Sequence, residues 1–75
     1  MSGVRKRSVT IRGHRTSFSV EDAFYEELLR MASEQALPFA ALVAQVDEQR
    51  DRQTNLSSAL RLAVLNDLRA KTGAP

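Results

Sequence analysis

Arg5, Lys6, Arg7, Arg12 and Arg15 all fall within the first sixteen residues, and no carboxylate accompanies them. That segment carries about +5 with His14 uncounted, whereas residues 17–75 hold six basic and nine acidic groups, or −3. The overall charge of +2 therefore conceals a strongly dipolar chain. Cationic side chains at this density can displace condensed counterions from a phosphate backbone, so the chemistry they offer is polyanion binding, nucleic acid first. A solvated terminal tail is the structural alternative.

Other residue types that could do chemistry are sparse. His14 is the only histidine and cysteine is absent, so neither a thiolate zinc site nor a histidine cluster can be assembled. Its place beside Gly13 and between arginines suits a turn or a phosphate contact. Glu26 and Glu27 are neighbours on a predicted helix, about 100° apart, and read as a solvated face rather than an acid/base pair. Ser57 and Ser58 stand at a predicted helix start with no base nearby in sequence, which favours capping over nucleophilic chemistry. A glycine-rich phosphate loop is missing, since Gly13 alone carries no such signal. No enzyme, metal or cofactor is expected.

Seventy-five residues make one small domain. A monomer of that size buries only roughly 60% of its unfolded surface, so self-association is the expected source of extra stability. Without cysteine, disulfides cannot supply it. The longest apolar run, Leu37 to Ala44, falls far short of the roughly 20 residues that span a bilayer. No apolar stretch follows the basic start as it would in a secretory signal. A cytoplasmic location and no membrane partner are expected.

The elements that must position these cations follow from periodicity. Residues 1–7 read as a flexible basic arm, 8–71 as one domain and 72–75 as a tail. Ser8 to Arg12 and Thr16 to Val20 each alternate apolar and polar residues, the signature of strands. Val9 and Ile11 are odd-numbered and Phe18 and Val20 even, so one continuous strand would point these pairs to opposite faces. A type II′ turn at Gly13-His14 resolves the conflict, pairing Arg12 with Arg15, Ile11 with Thr16 and Val9 with Phe18. A bulge at Gly13 also corrects the parity. The opposite face then carries Thr10, Arg12, Arg15, Ser17 and Ser19. Arg12 and Arg15, side by side, repel one another unless they face an anion.

Ser19 followed by Asp22 looks like a capping box opening a first helix, with Phe24, Leu28, Met31 and Ala32 as its stripe. That helix ends before Pro38, which opens a second with Phe39, Leu42, Val43 and Val46 inward. The polar run Asp47 to Gln53 is either its tail, with a Glu48–Arg52 pair, or a connector. Thr54 and Asn55 cap a third helix, whose face is Leu56, Ala59, Leu60, Ala63, Val64 and Leu68. Leu62 and Leu65 lie to the side and widen the apolar surface beyond what a small monomer needs, which suggests a second chain. The fold class expected is mostly α with a short N-terminal β-ribbon.

The run Thr16-Ser17-Phe18-Ser19-Val20, the helix with Phe24, Leu28 and Ala32, and Pro38-Phe39-Ala40-Ala41-Leu42-Val43 resemble a ribbon-helix-helix domain of the Arc/MetJ type. Lys6-Arg7-Ser8-Val9-Thr10-Ile11-Arg12-Gly13-His14-Arg15-Thr16-Ser17 and Asn55-Leu56-Ser57-Ser58-Ala59-Leu60-Arg61-Leu62 are similar to a small bacterial subgroup of that family. The resemblance covers nearly the whole chain. It implies an intertwined homodimer whose paired strands enter the DNA major groove, and hence a transcriptional regulator. By position, Arg15, Ser17 and Ser19 face outward, and Arg5, Lys6, Arg7, Arg12 and His14 complete the expected DNA-binding set. Arginine suits guanine, whereas serine discriminates weakly. The expected dimer core is Val9, Ile11, Phe18, Val20, Phe24, Leu28, Phe39, Leu42, Val43, Val46, Leu60 and Val64.

Two departures stand out. Family members place Gly-x-Ser or similar between the helices, where backbone amides clamp a phosphate; here Ala36-Leu37-Pro38 occupies that place. Pro38 brings no N–H or hydroxyl, and Ala36 lacks glycine's easy left-handed conformation. The third helix is extra to the basic fold and either blocks the DNA face or enlarges the core. A protein-interaction or assembly module that keeps the fold without DNA binding is the competing expectation.

Overall fold

A computed structural model describes residues 3–73. Two strands, β1 (Val4–Ile11) and β2 (His14–Glu21), precede three helices, α1 (Asp22–Glu34), α2 (Phe39–Gln49) and α3 (Leu56–Thr72). The expected arm is thus shorter than 1–7: Val4 to Arg7 belong to β1, and Met1 and Ser2 lie outside the described residues. The tail shrinks likewise. Helix α3 runs to Thr72, Gly73 caps it at φ 72°, and Ala74 and Pro75 lie outside the described residues.

The strands form an antiparallel hairpin, but its turn is Arg12-Gly13 rather than Gly13-His14. Both turn residues have positive φ, 50° and 80°, as a type I′ turn requires and a type II′ turn does not. The register therefore differs by two from the expected one: Ile11 pairs with His14, Thr10 with Arg15, Val9 with Thr16 and Arg7 with Phe18. A shift of two preserves the side-chain faces. Ile11, Phe18 and Val20 are buried, while Thr10, Arg15 and Ser17 stay exposed. The strands of this ribbon come from one chain, where the resemblance implies strands from two.

The predicted helices form, with different caps in places. Glu21, not Ser19, is the N-cap of α1, and it makes no side-chain capping bond. Asn55 caps α3 by accepting a hydrogen bond from the Ser58 N–H at 2.8 Å, which satisfies one donor left free at a helix start. The stretch Asp47 to Gln53 divides between the end of α2 and a connector. Glu48 pairs with Arg12 at 3.1 Å instead of with Arg52. Arg52 donates to the Asp47 carbonyl oxygen.

Ala36 does adopt the left-handed conformation, at φ 56°. The Leu37 N–H reaches the Ala32 carbonyl at 2.9 Å and the Ala36 N–H that of Ser33 at 3.1 Å, closing α1 as glycine usually does. A residue with a Cβ is strained there by roughly 1 kcal/mol or more. Ala36 is exposed, so its methyl group contributes little packing. Ala36→Gly should therefore raise the thermal midpoint by several degrees, about 4–8 °C per kcal/mol for a domain this small. Differential scanning calorimetry checks this, and an unchanged or lower midpoint would refute the strain.

One core joins all five elements. Ile11, Phe18, Val20, Leu28, Leu42, Val43, Leu60 and Val64 are buried in it together, and Val9, Phe24, Phe39 and Val46 pack against it. Residues expected at a dimer core thus meet within a single chain. Helix α3 enlarges that core rather than covering the outer ribbon face, because Leu56, Leu60 and Val64 point into it. Ion pairs tie α3 to α1: Arg30 reaches Glu27, Glu34 and Asp67 at 2.7, 3.0 and 2.8 Å, and Lys71 reaches Glu34 at 2.9 Å. Hydrogen bonds from Lys71 and then Arg30 hold the Glu34 carboxyl below its ordinary pKa, and the bonds that Arg30 itself donates to Asp67 and then Glu27 raise its own.

Candidate nucleic-acid interface

Alternation along the hairpin sorts its basic residues onto two faces. Arg5 and Arg7 share the parity of Val9 and Ile11, so they lie on the inner face, opposite Val20 and Phe18. Arg7, one of the residues expected to bind DNA, is turned into the fold. Arg7 stacks on Tyr25, with its guanidinium 3.6 Å from the ring centroid, and donates to Asp22 at 2.8 Å. Its side chain is only 22% exposed, and its buried Nε has no hydrogen-bond partner. Tyr25 in turn meets Phe39 edge to face at 5.3 Å. A guanidinium held by a ring face and a carboxylate is a structural bridge between hairpin and α1. Arg5 lies 3.4 Å from the same Asp22 but is 67% exposed.

Arg12 is not a cross-strand neighbour of Arg15. It occupies the turn and reaches Glu48 at 3.1 Å and Asp47 at 3.9 Å, so intramolecular carboxylates supply the anions it faces. Asp47 itself is held below its ordinary pKa, first by the hydrogen bond from Arg50 and then by attraction to Arg50, Arg52 and Arg12. His14 stands opposite Ile11 beside the turn and is exposed.

The outer face holds what remains. Lys6, Ser8 and Thr10 of β1 stand opposite Ser19, Ser17 and Arg15 of β2. Every one of these six is exposed except Ser19, which is half-buried. Among the described residues Lys6 and Arg15 have no ion-pair partner. The surface is a strip of hydroxyls with one free cation towards each end. Such a strip can donate to and accept from polar edges and can approach phosphate without first breaking an internal pair.

Ser19 differs from its neighbours because α3 grips its backbone. The Ser19 N–H donates to Ser57 Oγ at 2.8 Å, and Arg61 donates to the Ser19 carbonyl at 3.2 Å. Arg61 also reaches Glu21 at 3.2 Å. The Glu21 carboxyl is held below its ordinary pKa first by a hydrogen bond that it accepts from its own backbone N–H and then by that from Arg61. Ser57 and Arg61 are one helical turn apart, so both project to the same strand edge. This role of the pair was not read from sequence, where Ser57 signalled only capping.

The first turn of α2 leaves the Phe39 and Ala40 N–H groups without intrahelical partners, as at any helix start, and Pro38 provides no side-chain cap. The proline removes one N–H ahead of the helix and spares those two.

A short two-stranded ribbon with a polar outer face, followed by two helices that cover its inner face, is a recognisable arrangement. The family model described as a ribbon-helix-helix domain matches residues 4–68. The chain belongs to the ribbon-helix-helix family. No curated protein and no solved structure was found to match it. Ribbon-helix-helix domains generally bind DNA as regulators of transcription and are typically not enzymes. No helix among the described residues is long and apolar enough to cross a membrane, and those residues contain no group of three or more potential metal-ligating side chains.

Proposed function

We propose that this ribbon-helix-helix protein is a transcriptional regulator that lays the outer face of its hairpin against duplex DNA. The observation that carries the reading is the exposed strip from Lys6 to Arg15, polar throughout, whose two cations have no ion-pair partner among the described residues. A two-stranded ribbon has the width to enter the major groove, where Arg15 suits guanine and the hydroxyls suit either base type. Arg5 and Arg12 can add phosphate contacts, since exposed ion pairs are weak and exchangeable. They must first leave their carboxylates, whereas Arg7 stays in the fold.

That difference sets a measurable number. If all five cations met phosphates, the logarithm of affinity would fall with the logarithm of salt at a slope near −4.5. If Lys6 and Arg15 act alone, it would be about −2 per chain, at roughly −0.9 per phosphate neutralised. A salt series on random duplex DNA should give a value nearer −2. Absence of any salt-sensitive binding would overturn the DNA reading, and the interaction or assembly module would replace it.

Self-association belongs to the proposal too. Leu62 and Leu65 on α3 remain 51% and 40% exposed, and their cover would be a second copy of the chain. Sedimentation across a concentration range tests this, and a monomer throughout would refute it.

A further inference from the structure

We propose that the base-reading surface is completed within one chain, with Ser8 and Thr10 of β1 as specificity-determining residues beside Arg15 and Ser17 of β2. Each copy then reads a contiguous block of bases that has no internal two-fold symmetry. The inference rests on the DNA reading above and adds which strand supplies half of the contacts.

Three observations carry it. First, one edge of β2 is taken along its whole length by β1. Second, its other edge is engaged by α3, where Ser57 and Arg61 bond the N–H and C=O of Ser19 at 2.8 and 3.2 Å. Counting from the two-residue turn, Lys6/Ser19, Ser8/Ser17 and Thr10/Arg15 are the pairs whose peptide groups point away from the partner strand. Ser19 lies on the edge that a second copy of β2 would need, and its peptide groups are spoken for. Third, the place beside β2 on the outer face is filled by Ser8 and Thr10, exposed and directly opposite Ser17 and Arg15.

The two halves of this surface are chemically unlike. From the turn outward, β1 presents Thr10, Ser8 and Lys6, and β2 presents Arg15, Ser17 and Ser19. A ribbon built from two copies of one strand is related to itself by a two-fold axis and therefore reads a palindrome. This ribbon has no such axis. Arg15 lies near the turn and Lys6 near the open end, so the base contacts have a direction along the groove. The Thr10 methyl adds an apolar contact for a thymine methyl that serine cannot make.

The test has two arms. Cysteine is absent from the chain, so Ser8→Cys with Ser17→Cys introduces the only thiols. Directly opposed residues of a non-hydrogen-bonded pair lie about 4.5 Å apart at Cα, within disulfide range. Oxidation should give a linked monomer on a non-reducing gel; an interchain product, or no bond, would overturn the single-chain ribbon. In the second arm, preferred duplexes are selected with the wild type, Ser8→Ala and Thr10→Val. The wild-type site should lack two-fold symmetry within the ribbon's footprint. Each variant should lose roughly two- to tenfold of its preference at one base step, the net worth of one hydrogen bond, with the random-duplex salt slope unchanged. Selected sites identical for all three proteins would sink Ser8 and Thr10 as readers. Should the wild type bind no duplex, the DNA reading fails, while the disulfide arm still decides how the ribbon is built.

Discussion

Phe18→Ala should cost the chain much or all of its stability. Phe18 is 2% exposed and its ring lies 6.1 Å from that of Phe39, at the point where the hairpin meets α2. Truncating a buried phenylalanine typically costs about 3–5 kcal/mol. A domain of this length has roughly 4–11 kcal/mol in total, so the loss takes much or all of its stability. The cost falls on the fold itself, since the core that Phe18 fills is made within one chain. Circular dichroism during urea titration should show loss of helix at far lower denaturant. Unchanged melting would mean that Phe18 is exposed and that the two ribbon faces are exchanged.

Arg15→Ala should do the reverse, sparing the fold and weakening DNA binding. Arg15 is exposed opposite Thr10 and has no ion-pair partner among the described residues, so its removal breaks nothing in the core. A bidentate guanine contact is worth roughly 1–3 kcal/mol, or about 5- to 150-fold on a selected sequence. A phosphate contact alone would instead lower affinity equally on all sequences and reduce the salt slope by about one. Selected and random duplexes compared at two salt concentrations separate the two roles. Wild-type affinity on both duplexes would remove Arg15 from the interface. Arg7→Ala offers the contrast: it breaks the bridge to Tyr25 and Asp22, so its effect should appear in melting.

The sequence carried the helices and the ribbon faces well because both rest on periodicity. Phe24, Leu28, Met31 and Ala32 mark α1 by spacing alone, and the parity of Val9, Ile11, Phe18 and Val20 forces a turn near Gly13. Register was beyond that reasoning, since pairings that differ by two satisfy the same parity. It was set by Arg12 taking a left-handed conformation that favours glycine or asparagine, with Glu48 within reach of its side chain. The inward course of Arg7 was legible in principle. Its odd number places it with Val9 and Ile11, but starting the strand at Ser8 left it in the arm. Its Asp22 and Tyr25 partners, like the hold of Arg61 on Ser19, join residues far apart in sequence. Periodicity cannot see such pairs.

The grip of Ser57 and Arg61 on Ser19 also bears on how the strand edge is kept from other chains. An open strand edge is a template for other chains, and Thr16-Ser17-Phe18-Ser19-Val20 has the β-propensity and low charge that invite stacking. Helix α3 blunts that edge with two side chains, while the outer edge of β1 is guarded by Arg5 and Lys6, whose charges repel a second copy. Removing α3 would therefore do more than subtract core. It would uncover an adhesive border on β2, and a shortened chain should be lost to precipitation at concentrations where the intact protein remains dispersed.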